Sequence, residues 1–246
     1  RLYRLTDAHN PEHPELPDET FTYDSVGNRL SSPDTAGPWR YNPNNELTGF
    51  DDTEFEYDAN GNMTRETTGI DETTTYVYNT ENRLTQVWNG ESGTGTLIAR
   101  YYYDPFGRRL WKEVNGIRTY YMYADEGLVA EMDASGHVTK TYGWKPGGTW
   151  GTDPLFMAED TDGDTELDYY FYHNDHLGTP QKMTDPSGAV VWSATYSSFG
   201  KAHVEADSTV TNNLRFPGQY EDQETNLHYN YHRYFNTLSG RYLRGD

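Results

Sequence analysis

The sequence predicts an all-β fold: tandem antiparallel β-hairpins, joined in series into a curved strip, with little helix. Three observations predict it. A short phrase returns along the chain, aromatic and polar residues alternate inside it, and no segment of ten or more residues carries a 3.6-residue apolar period. The phrase reads Phe21-Thr22-Tyr23-Asp24-Ser25-Val26-Gly27-Asn28-Arg29-Leu30. It returns as Phe55-Glu56-Tyr57-Asp58-Ala59-Asn60-Gly61-Asn62-Met63-Thr64 and as Tyr101-Tyr102-Tyr103-Asp104-Pro105-Phe106-Gly107-Arg108-Arg109-Leu110. Looser copies run from Trp39 to Thr48 and from Tyr76 to Thr85.

Each copy reads as strand, turn, strand. Thr20-Phe21-Thr22-Tyr23 places its rings on one face with period two. Asp24-Ser25-Val26-Gly27-Asn28 is then a turn, where Gly takes a positive φ and Asp or Asn caps the bend. Asn60-Gly61 carries a tight-hairpin signal. Asp104-Pro105-Phe106-Gly107 sets Pro early and Gly late, as type I and II turns prefer. Tyr23, Tyr41, Tyr57, Tyr78, Tyr103 and Tyr123 are 18, 16, 21, 25 and 20 residues apart. That is one hairpin per repeat, given strands of about 5–6 residues and turns of about 4–5.

The pattern changes near residue 143. Residues 1–142 form the hairpin array, 143–168 read as a Gly/Asp-rich loop and turn region, and 169–246 as a compact aromatic C-terminal region. Inside the last, Ala189-Val190-Val191-Trp192-Ser193-Ala194 reads as a strong strand.

Composition narrows the function classes. The 246 residues are 34% hydrophobic, below the usual globular share, yet 15% are aromatic, with 22 Tyr, 9 Phe and 6 Trp. Tyr buries a ring and keeps its hydroxyl wet. Such a chain suits thin sheets with two partly solvated faces. The net charge of −20 disfavours phosphate-backbone binding, so no nucleic-acid partner is expected. With no cysteine, disulfides and thiolate chemistry are absent. No run approaches the apolar length of a membrane span. The first residues look like the tail of a repeat and the last stop without a closing element, so a longer parent protein is expected.

The repeated Tyr-Asp-x-x-Gly phrase resembles the YD repeat of RHS proteins. The later block strengthens the likeness. His173-Asn174-Asp175-His176-Leu177-Gly178-Thr179-Pro180, followed by Thr184-Asp185, resembles a signature leading into the RHS-associated core. Tyr196-Ser197-Ser198-Phe199-Gly200, Phe216-Pro217-Gly218-Gln219, Glu224-Thr225-Asn226-Leu227-His228-Tyr229-Asn230 and Arg233-Tyr234-Phe235-Asn236 through Asp246 are similar to its later steps. The resemblance implies part of a hollow β-shell built from hairpin strips, with the core at its C-terminal end. It implies a toxin segment downstream in the same polypeptide, held inside and often released by autoproteolysis. It also implies delivery-complex proteins as partners and a secreted or cell-surface bacterial setting.

Candidate chemistry follows. Self-cleavage by an aspartyl mechanism needs two carboxylates, one keeping a raised pKa. The resemblance points to Asp246 as one of them, with Arg233 and Arg241 orienting carbonyls or carboxylates. Asn236 stands where the family often has the second, and an amide cannot return a proton. The structural alternative makes Asp246 a turn residue and both arginines braces of the last hairpin. Asp160, Asp162 and Asp164 mimic the start of a calcium loop, although Thr165 and Phe171 replace its usual Gly and Glu. The alternative there is an acidic hairpin turn, and no other cofactor is expected. His173 and His176 are read as turn builders rather than metal ligands. A surface adhesion or carbohydrate-binding role is the alternative function. It requires tyrosines outside the alternation, such as Tyr102, to form a contiguous exposed patch.

Overall fold

The structure, a computed structural model, describes residues 3–11, 16–160 and 166–245. Sixteen strands form one antiparallel sheet in chain order, from Arg40–Tyr41 to Ala202–Val204. Each strand pairs only with its sequence neighbours, so the sheet is a single meander that does not close into a barrel. No helix occurs among the described residues. Two ribbons precede this strip, Asp7–Ala8 with Glu19–Thr20 and Thr22–Tyr23 with Arg29–Ser31. A four-stranded terminal sheet follows it: Tyr220–Asp222, Leu227–Asn230, Arg233–Asn236 and Arg241–Tyr242.

The turns explain the phrase. One side-chain oxygen each of Asp24, Asn42, Asp58, Asn79, Asp104 and Asp175 accepts the amides two and four residues ahead. The fourth turn residue is left-handed: Gly27, Gly61, Gly107 and Gly178, with Asn45 and Asn82 where the phrase lacks Gly. Asn tolerates that region better than other side chains. It also links turns, because Asn28 and Asn62 donate to the side-chain oxygens of Asn45 and Asn82 at 3.0 and 2.9 Å.

The tyrosines explain the rest. Tyr23, Tyr41, Tyr57, Tyr103, Tyr123 and Tyr196 donate their hydroxyls to the carbonyls of Leu5, Arg29, Leu47, Leu84, Arg109 and Pro180, at 2.5–3.0 Å. The Trp144 indole and the Asn174 amide make the same reach, to Leu128 and Pro154. In the strip, each such bond ties the last residues of one strand to the first residues of the strand before it. A register shift precedes Tyr23, Tyr41, Tyr57, Tyr103 and Tyr123. The shift lies in the pairing with the following strand, while the hydroxyl ties the residue to the strand before it, a bond that Phe could not supply. Such bulges also bend the sheet and raise its twist.

The bending accumulates into a curl. Laid flat, sixteen strands at about 4.8 Å spacing would be about 70 Å across. Instead the N-terminal ribbons, joined to the strip through the Trp39 amide and the Leu30 carbonyl, touch the turn before its last strand. The Glu19 carboxylate accepts the amide and hydroxyl of Ser198 at 2.8 and 2.5 Å. The Phe21 and Phe199 rings meet edge to face at 5.1 Å. Arg29 lies 4.1 Å from the centroids of both Trp39 and Phe199, and donates to the Leu238 carbonyl.

The terminal sheet fills the concave side. One apolar cluster joins Trp39, Leu47, Phe55, Leu84 and Tyr101 of the strip to Leu227, Tyr229, Tyr234 and Leu243. A second joins Tyr121, Tyr142, Met157 and Trp192 to Leu214 and Tyr220. The core is therefore largely aromatic. The segment read from sequence as loop and turn contains one full strand, Pro154–Glu159, paired with Val138–Trp144 and Asp168–Asn174. A Gly-rich run before it and an Asp-rich run after it hide it from a local reading.

Candidate functional site: the C-terminal cleft and a buried charge cluster

The last strand ends beside the first repeats. The Met63 amide donates to the Leu243 carbonyl, and Asn62 bridges Arg244. A cleft of about 580 Å³ opens there, with Arg233, Arg241, Arg244 and Gly245 on one wall and Asn45, Glu46, Tyr57 and Asn60 on the other. Arg233 and Arg241, separate in sequence, thus share one cleft. The Arg233 guanidinium lies 3.9 Å from the Tyr242 ring centroid, and Arg241 donates to the Asn45 carbonyl at 2.9 Å. Nearby, burial first, and then Arg83, Arg244 and Arg233, push the His232 imidazole down. Basic groups are therefore concentrated at this end of a strongly acidic protein. Asp246 lies outside the described residues. Asn236 acts in a turn: its side-chain oxygen accepts the Ser239 amide at 3.0 Å.

Deeper in, sequence reasoning missed a charge cluster. Arg109 and Asp222 pair with 1% and 0% of their side chains exposed. Lys112 bridges Asp222 and Glu224, each at 3.0 Å. Arg109 is ringed by Tyr101, Tyr121, Tyr220 and Tyr229, with centroids 4.5–5.4 Å away. The Tyr229 hydroxyl accepts the Arg109 amide, while Tyr123 donates to the Arg109 carbonyl. Burial opposes the Asp222 charge, but Arg109 and Lys112 outweigh it and hold the carboxyl below its ordinary value. Burial, with Asp222 beside it, pushes the Glu224 carboxyl up. The arrangement can fasten two sheets. Its Arg109 and Asp222 side chains are closed to solvent. One signal was available: in Arg109-Leu110 the arginine points inward and Leu110 is 40% exposed, so the alternation demanded a buried counter-ion.

A loop makes the second fastening. Trp150 stands between Tyr123, stacked at 5.8 Å, and Tyr231, edge-on at 5.2 Å. The Gly218 amide donates to the Gly151 carbonyl. A Cβ on Gly151 would sit 2.8 Å from the Gly218 Cα, at a φ of +63°.

The remaining candidates are placed as follows. Of the calcium-loop acids, Asp160 is described, and Asp162 and Asp164 lie outside the described residues. Among the described residues no three His, Cys, Asp or Glu side chains converge on a metal position. His173 lies within the strand Asp168–Asn174 and not in the turn that follows, and bonds the Thr184 hydroxyl across the sheet at 3.1 Å. Tyr102 is 56% exposed, stacked on Trp111 at 5.6 Å, and Arg118 covers the Trp111 ring at 4.4 Å. No helix among the described residues is long and apolar enough to cross a membrane.

Comparison with known proteins agrees with this architecture. "Double-stranded DNA deaminase toxin A" of Burkholderia cenocepacia is 29% identical over 93% of this chain and 17% of its own length. The "tRNA nuclease WapA" of Bacillus subtilis is 32% identical over 92% of this chain and 9% of its own. "Toxin protein Tse5" of Pseudomonas aeruginosa is 27% identical over 85% and 18%. The chain thus spans less than a fifth of each of these relatives. Among solved structures, a TcdB2-TccC3 crystal structure superposes with a TM-score of 0.55 at 17% identity, over 94% of this chain and 14% of that one. The Photorhabdus luminescens Tc holotoxin pore gives 0.53 at 15% identity, over 93% and 15%. A family profile described as Teneurin YD-shell matches residues 4–246. With its meander of tyrosine-anchored hairpins, its Asp- and Asn-capped turns and this match over nearly its whole length, the chain belongs to the YD-shell family, whose toxin relatives include the RHS type that its repeats resemble.

Proposed function

We propose that this chain is a wall segment of a bacterial toxin shell, enclosing a toxin segment that follows it in the same polypeptide, in a protein delivered outside the cell. The observation that carries the reading is the curl. A sixteen-stranded strip bends until its N-terminal ribbons reach the turn before its last strand, and the terminal sheet sits against its inner face. A wall of this kind separates an inside from an outside. Toxin polypeptides and Tc complexes among the relatives and structural neighbours support the same reading. Protease protection tests it. In the parent polypeptide, the segment downstream of residue 246 is expected to resist digestion until the shell is denatured. Digestion of that segment at the rate of an isolated peptide refutes the reading.

A second activity, self-cleavage at the C-terminal end, is favoured by one observation: Arg233 and Arg241 share a cleft with Gly245, next to Asp246 in sequence. In that reading Asp246 is one carboxylate, and the arginines hold the scissile carbonyl. The parent protein carrying Asp246→Asn should stay uncut by mass spectrometry. Cutting at the parental rate removes Asp246 from the mechanism.

A further inference from the structure

A cavity of about 600 Å³ lies between the inner face of the strip and the terminal sheet. Its polar lining is rich in acceptors. Glu66, on the strip between Phe55 and Thr74, takes one hydrogen bond, from the Tyr76 hydroxyl at 3.0 Å. No cation pairs with it among the described residues. Burial accordingly pushes the Glu66 carboxyl up. Glu224 gives one oxygen to Lys112 and leaves Oε1 buried without a partner.

His228 is only 2% exposed and lines the same cavity. Its Nδ1 meets Gln219 Oε1 at 2.7 Å, and its Nε2 has no hydrogen bond, with Glu221 at 4.0 Å. Burial holds the imidazole neutral down to about pH 4. With Nδ1 donating to Gln219, Nε2 presents a lone pair to the cavity. Val87 and Ile98 add an apolar wall, and the mouth is marked by exposed Lys201 and by Leu238 at 36% exposure.

The acceptors are spread around the walls and do not converge, so a bare metal ion finds no set of three ligands. A cation on a long alkyl stem fits better. Its stem can lie along Val87 and Ile98 while its several N–H donors reach separate oxygens. We propose that this cavity is a receptor for one arginine or lysine side chain of a polypeptide packed against the inner face of the wall. The proposal rests on the enclosing-wall reading and names the chemistry by which the wall holds what it encloses.

The test uses the protein with N-acetyl-arginine amide and N-acetyl-lysine amide as probes, N-acetyl-leucine amide as control, and calorimetric titration at neutral pH. Saturable binding of at least one cationic amide is expected, with none for the leucine amide, and the two cationic arms rank guanidinium against ammonium. Glu66→Gln keeps an acceptor for Tyr76 and should weaken binding about ten-fold or more. As a check without mutation, salt of about 1 M, where the screening length is about 3 Å, should weaken it too. No saturable binding, equal binding of the leucine amide, or affinity unmoved by both the substitution and salt overturns the proposal. Binding through Glu66 in a wall that fails to protect a downstream segment refutes the enclosing reading alone. A protecting wall that binds no cationic amide refutes the receptor alone.

Discussion

Arg109 and Asp222, 113 positions apart in sequence, form an ion pair sealed between the strip and the terminal sheet, and Lys112 adds a second cation to the same carboxylate. Breaking such a pair leaves a buried charge uncompensated. Asp222→Asn should therefore cost about 3–5 kcal/mol in urea unfolding. Replacing Arg109 and Asp222 together by apolar residues of similar volume should cost clearly less than the sum of the single changes. Additive costs would mean that the two groups do not interact.

The tyrosine hydroxyls make a sharper contrast. Tyr57→Phe removes the donor to the Leu47 carbonyl, and a loss of about 0.5–1.5 kcal/mol is expected in chemical denaturation. The Tyr78 hydroxyl is buried with no hydrogen-bond partner, so Tyr78→Phe should be neutral or stabilising. Equal losses at both positions would show that the ring environment, and not the hydroxyl anchor, sets the cost.

The turn acids give a pH prediction. The Ser135 hydroxyl and the His137 amide hold the Asp133 carboxyl below its ordinary value, and Ser187 and the Ala189 amide do so for Asp185. A carboxylate with a lowered folded pKa contributes stability above its unfolded pKa and loses it as the pH falls through the folded one. Asn42 and Asn79 already cap equivalent turns without a charge. Asp133→Asn and Asp185→Asn together should leave the neutral-pH unfolding midpoint in place and flatten its decline below the carboxylate range. An unchanged acid limb would contradict this account.

His228 acts in a higher window. Burial, and then Arg215, push its imidazole down to about 4 from 6.5. It stays neutral in the fold, while the unfolded ring takes a proton once the pH drops below about 6.5. Its contribution is therefore full above 6.5 and is lost between there and about 4, a decline of about 3 kcal/mol. His228→Gln should remove that slope from the stability profile. A slope that persists across this window would place its source elsewhere.

The sequence made the local physics legible and left the long-range physics hidden. Turns at Asp24, Asp58 and Asp104 follow from four or five adjacent residues, and each is present with the carboxylate capping it. The strand Pro154–Glu159 escaped because its hydrophobic run is short and its flanks are turn-rich. The Arg109–Asp222 pair escaped because nothing local selects a partner that far along the chain. The shared cleft of Arg233 and Arg241 was legible only as two arginines near one end. Its opposite wall, Asn45 to Asn60, is supplied by repeats almost two hundred positions earlier. The tyrosine anchors lay between these cases. Their spacing was visible, but the hydroxyl target is a carbonyl of the preceding strand, set by a pairing that the sequence does not announce.

The curl is the claim on which the enclosing wall depends, and the cysteine-free chain suits spin labelling. Labels at Val26→Cys and Lys201→Cys flank the seam where Arg29 meets Phe199 at 4.1 Å. Three and two residues of chain at about 3.5 Å each, with the two side chains between them, keep the attachment points within about 32 Å, so pulsed dipolar spectroscopy should report a distance below about 45 Å, including the label arms. A distribution centred near the about 70 Å width of an uncurled sixteen-stranded sheet would contradict the account.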